Sequence, residues 1–150
     1  MGKLQRYLHW LHLQWPAGKV EKLPVVNEDG TTAVQGVRVV GDLTGVPLLK
    51  FAADTGAKAV AAVADELGTD VGGDSGPADL AIIGGGVAGL SAALEAKKRG
   101  LRFAVFEASK PMSTIVNFPK GKPIFTYPTD LDPAGDLKLT ATVKEDLVEE

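Results

Sequence analysis

Residues 78–107 read "ADLAIIGGGVAGLSAALEAKKRGLRFAVFE", and their reading decides the fold. Leu80 to Ile83 is a short apolar run of strand type, followed at once by a glycine-rich turn. Gly84, Gly86 and Gly89 fit the spacing G-x-G-x-x-G, and each has its own physical task. Gly84 permits a tight exit from the strand, and Gly86 leaves backbone open to a pyrophosphate. Gly89 lets the next helix lie close on the sheet. Val87 and Ala88 open that helix, whose N-terminus turns unpaired N–H groups and a positive dipole end toward phosphates. Lys97, Lys98 and Arg99 suit its negative end, and Gly100 is placed to cap it. A second apolar strand, "FAVF", then leads to Glu107.

A glycine turn alone is a weak signal, because such turns also serve merely to join a strand to a helix. The context raises it: strand before, helix after, second strand, then an acid 23 residues beyond Gly84. That offset suits a carboxylate hydrogen-bonded to an adenosine ribose. Glu107, with Ala108 after it, therefore joins Gly84, Gly86, Val87, Ala88 and Gly89 as a candidate dinucleotide-binding set. A carboxylate there repels a 2′-phosphate, so FAD or NAD fits better than NADP. The expected fold is α/β, a Rossmann-like FAD/NAD(P)-binding unit with a parallel sheet flanked by helices.

Bulk properties exclude several other classes. The chain of 150 residues is 45% hydrophobic and 23% charged, within the range of ordinary globular domains. A net charge of −3 offers no field to gather nucleic acid. With no cysteine, disulfide scaffolds, thiolate metal sites, iron–sulfur clusters and a redox-active cysteine pair are excluded within it. Its apolar runs fall short of the about 20 residues that cross a bilayer. The first residues, "MGKLQRYLHWLHLQW", lack an apolar core followed by a small-residue cleavage site. The expectation is a cytoplasmic protein without a membrane span.

Composition divides the chain into four blocks. Residues 1–18 hold Leu4, Leu8, Leu11 and Trp15 at helical spacing, the pattern of an amphipathic helix. Residues 19–67 contain the turn "NEDG", the strand-like "VQGVRVVGD" and a helix expected to begin around Pro47. Along that helix Leu49, Ala53, Gly56, Val60, Val63 and Leu67 form one stripe rich in small residues. Residues 68–77, "GTDVGGDSGP", read as a linker. Residues 78–150 hold the glycine turn and a proline-punctuated loop. Helical character returns from about Leu137, and the closing "EDLVEE" lacks a glycine cap, as though the helix were cut.

The "GVRVVGDLTGVPLLKFAADTGAKAV" segment resembles the part that closes the FAD domain in thioredoxin-reductase-like flavoprotein disulfide reductases. The resemblance implies that Gly41 and Asp42 hold the ribityl and pyrophosphate region of FAD. It places the helix start, Pro47, Leu48 and Leu49, beside the pyrimidine edge of the flavin. "EASKPMSTIVNFP" resembles the bacillithiol-disulfide-reductase-like branch, which lacks the cysteine pair. By that likeness Ser113, Thr114 and Ile115 lie near the flavin or its pyrophosphate, and Asn117, Phe118 and Pro119 shape the neighbouring loop.

The Gly-Asp segment precedes the glycine turn here, whereas the family has the reverse order. Either one FAD domain is permuted across the linker, or two successive flavoprotein units contribute one segment each. Only one glycine fingerprint is present, so the nicotinamide unit is expected elsewhere, in a larger FAD-dependent oxidoreductase of which this is an N-terminal piece. NAD(P)H is then a cofactor of that parent. Further partners implied are a second copy, as a homodimer, and an electron-transfer protein. The alternative is a module derived from a flavoprotein that binds a nucleotide or partner without turnover. No catalytic acid, base or nucleophile is assigned. His9 and His12 lack a third metal ligand, and Asp130, Asp132 and Asp136 lack the glutamate of a calcium loop.

Overall fold

The computed structural model describes residues 23–68 and 76–150. The amphipathic segment 1–18 and most of the linker 68–77 lie outside the described residues. The strands expected around the glycine turn are present: β1 (Leu80–Ile83) pairs in parallel with β2 (Phe103–Phe106), Leu80 opposite Phe103 and Ile83 opposite Phe106. Helix α2 (Val87–Lys98) connects them, and α1 (Leu49–Leu67) packs along α2. Two short helices follow, α3 (Ser113–Val116) and α4 (Lys144–Glu149). The architecture is α/β, a parallel two-stranded sheet with helices packed on it, as expected.

The exit from α2 shows how strictly local chemistry sets this unit. Gly100 takes φ +71° and donates to the carbonyl of Lys97, while Leu101 N donates to Ala96 O at 3.0 Å. These two bonds form a Schellman cap, and the residue after the glycine, Leu101, is buried. Val60, Ile82, Ala92, Ala96 and Leu101 make one core cluster, joining both long helices to the sheet. Ser91, fully buried, donates its hydroxyl to Ala53 O at 2.7 Å and ties α2 to α1.

A second cluster joins α1 and α2 to the C-terminal loops through Ala52, Ala53, Val87, Ile115, Ile124, Leu139 and Leu147. Lys50 in the first turn of α1 donates to Leu131 O at 2.7 Å, and Asp54 accepts from Ala134 N at 3.0 Å. Both bonds hold the loop that follows the cis Tyr127–Pro128 peptide.

Three expectations need correction. "VQGVRVVGD" is no strand: Thr31 and Arg38 form a single antiparallel bridge, and Val39 N donates back to Gly30 O at 2.8 Å. The "NEDG" turn folds this segment onto itself, so its backbone bonds are met locally rather than at a sheet edge. Gly41–Thr44 then forms a 3-10 turn. Helix α1 starts at Leu49, not at Pro47. Leu48 is its N-cap, with Leu48 N already bonded to Val46 O in a tight turn. Residues 137–142 carry no helix: Ile124 N bonds to Thr142 O and Pro123 bridges to Val143, and helix begins only at Lys144.

Candidate dinucleotide site

The three fingerprint glycines occupy three different environments. Gly84 leaves β1 with φ +101°, a conformation that only glycine adopts freely, and its N–H donates to Phe106 O at 2.8 Å. Gly86 is the N-cap of α2, exposed, and a Cβ there would meet nothing within 4 Å. Gly89 is the opposite case: a Cβ would lie 1.9 Å from Gly84 O, so α2 could not approach β1 with any larger residue.

At the entrance of α2 no side chain caps the helix. The first-turn N–H groups of Val87 and Ala88 and the open space over Gly86 therefore fit a ligand that brings its own negative oxygens. The residues present fit a dinucleotide pyrophosphate.

Glu107 ends β2 and turns back onto the turn. Its Oε2 accepts from Gly85 N at 2.6 Å, and its Oε1 accepts from Ser109 N at 2.9 Å and Ser109 Oγ at 3.2 Å. The Gly85 amide, then the Ser109 amide and hydroxyl, hold the carboxyl below the ordinary glutamate range, because each donor favours the ionised form. A fixed carboxylate beside a glycine turn can accept ribose hydroxyls.

Gly85 is the residue that pattern reading missed. It falls on a variable position of the fingerprint, yet it is buried and its N–H holds Glu107 while its C=O accepts from Met112 N at 2.9 Å. Met112 takes φ +55° to make that contact and starts α3. The start of α3, with Ser113 and Thr114, is thus pinned to the turn; Ser113 is half-buried and Thr114 exposed. The only sequence signal for Gly85 was a third consecutive glycine.

From the other side comes the 3-10 turn. Gly41, at φ +70°, sits so close to α2 that a Cβ would lie 2.8 Å from the Ala88 Cβ. Gly41 N donates to Thr55 Oγ1 at 3.0 Å, which fixes this turn on α1. Asp42 is exposed. Leu49 packs on the cluster that includes Val87, whereas Pro47, Leu48 and Ala108 are exposed. Gly41, Ala88, the glycine turn, Glu107 and the start of α3 are therefore neighbours.

Fold and turn together make an α/β unit whose glycine turn has the form of a dinucleotide-binding fingerprint. Residues 79–127, 49 of the 150, match the family described as "FAD binding domain". The match supports an FAD-binding domain of flavoprotein type and spans β1, the glycine turn, α2, β2 and α3. No curated protein and no solved structure matches the chain. Among the described residues no helix is long and apolar enough to cross a membrane.

Proposed function

We propose that this chain is the FAD-binding portion of a flavin-dependent oxidoreductase of the pyridine-nucleotide-linked type. The observation that carries the reading is the glycine turn with an uncapped helix start and a carboxylate held beside it, within the matched stretch. Bound FAD supplies hydride or electron transfer; the polypeptide binds and orients it. The N–H groups at Val87 and Ala88 hold the pyrophosphate, Gly86 admits it, and Glu107 accepts from the adenosine ribose. Asp42 accepts from the ribityl chain, with Leu49 and the Ser113–Thr114 turn flanking the flavin end.

The contact of Gly41 with Ala88 and the packing of α1 on α2 support a single domain, permuted relative to the thioredoxin-reductase-like order, over two separate units. NAD(P)H, a second copy and an electron-transfer protein enter as partners of the larger enzyme. Titration of FAD and of NADH into the chain, followed by flavin fluorescence, tests this. Saturable FAD binding with weak or no NADH binding is expected; a folded chain that binds neither refutes the assignment.

A further inference from the structure

We infer that Ser109 and Gly85 are positioning residues that fix Glu107 as a selectivity element, admitting an adenosine ribose with free hydroxyls and refusing one with a 2′-phosphate. The inference rests on the dinucleotide reading of the same turn and goes beyond it by naming what makes the acid selective. A glutamate side chain has three rotatable bonds, and an unrestrained one can swing away from an incoming anion. Here three donors span both carboxylate oxygens: Gly85 N on Oε2, and Ser109 N and Oγ on Oε1.

The clamp also determines which chemistry remains on offer. A carboxylate has about four acceptor positions, and three of these are used. The Gly85 N–H, the Ser109 N–H and the Ser109 hydroxyl proton are all spent on Glu107. What this cluster presents to a ligand is a spare carboxylate lone pair and the lone pairs of Ser109 Oγ. Ribose hydroxyls can donate to such a surface. A phosphate is acceptor-only here, and meets the negative charge of Glu107 with the Gly85 and Ser109 donors already engaged.

Gly85 is needed for the geometry as well as for its amide. A Cβ there would lie 3.2 Å from Glu107 Oε2 and 3.3 Å from its Cγ. Its backbone is not in the left-handed region, so alanine fits the turn and presses only on the flexible acid.

The test compares ADP-ribose with 2′-phospho-ADP-ribose, each competed against FAD on the full chain, in wild type, Ser109→Ala, Ser109→Thr and Gly85→Ala. Wild type is expected to prefer ADP-ribose. Ser109→Ala removes one of three hydrogen bonds and should shrink that preference by about threefold to tenfold. Gly85→Ala should shrink it in the same direction, and Ser109→Thr, which keeps the hydroxyl, should restore it. A ratio unchanged in Ser109→Ala, or lost equally in Ser109→Thr, overturns the inference while leaving the site assignment standing. Failure of wild type to bind either nucleotide overturns both.

Discussion

Replacing Gly89 with alanine should separate the structural glycine from the binding one. The added methyl would lie 1.9 Å from Gly84 O and 3.0 Å from Gly84 C, where ordinary contact begins at 3.4 Å. Helix α2 must therefore retreat by about 1.5 Å, because the obstacle is backbone at the end of a strand and cannot rotate aside. That strand end is held by Gly84 N to Phe106 O at 2.8 Å, and the cluster of Ile82, Ala92 and Ala96 lies in the gap that would open. Overpacking of this kind costs about 3 kcal/mol. The better helix propensity of alanine returns about 1 kcal/mol, leaving a net loss of about 2 kcal/mol. For a chain of this size the Tm should fall by about 6 °C. Gly86→Ala is the control: its methyl meets nothing, so it should cost less than about 1 kcal/mol, the loss of a favourable N-cap. Thermal melts by circular dichroism read both. If Gly89→Ala melts with wild type, or Gly86→Ala falls as far, the close approach of helix and strand is not what this turn is built for.

Other perturbations address binding and pH. Gly86→Leu should abolish FAD binding with little loss of Tm, because its side chain fills the space assigned to the pyrophosphate; unchanged affinity by fluorescence titration would defeat that role. Asp42→Ala should weaken FAD about tenfold and leave ADP nearly unaffected, since a charge-assisted bond to the ribityl half is removed; equal loss of both ligands counts against it. Glu107, Glu145, Glu150 and Asp29 all titrate below their ordinary values in the fold, led respectively by Gly85, Gly121, Thr140 and Thr31 as donors. The native state thus binds fewer protons than the unfolded chain in acid. Their stabilisation is fully present above the ordinary carboxylate range and is lost as pH falls through the lowered values. Urea midpoints should drop between about pH 5 and about pH 3, and less steeply in Glu107→Gln; parallel curves would show that the Gly85 bond does not form.

The parts legible in the sequence are those whose causes are local. The turn needs φ +101° at Gly84, the helix stop needs φ +71° at Gly100, and both are written as glycine at the right spacing. Tertiary causes were not legible. Val39 and Val40 have strand propensity, but the "NEDG" turn returns the chain on itself before any sheet edge is offered. Ile115, Ile124, Leu139 and Leu147 have no common period, because they meet across two short helices and the loops between them rather than along one element. Glu107 was placed by its offset from Gly84, yet an offset says nothing of which amide a side chain takes. Hence the roles of Gly85 and Ser109 are set by side-chain geometry that spacing does not encode.

The two-stranded sheet has a consequence of a different kind, for colloidal behaviour. Each strand, being one of a pair, has one side unpaired among the described residues, and Ile83 and Phe106 are 81% and 57% exposed. Free strand edges beside apolar side chains are templates for further strand addition. Melting temperature is blind to this, since it concerns encounters between folded molecules. Concentration, rather than heat, is the variable against which "LAII" and "FAVF" make this chain vulnerable, and the brevity of both strands, four residues each, is its main protection.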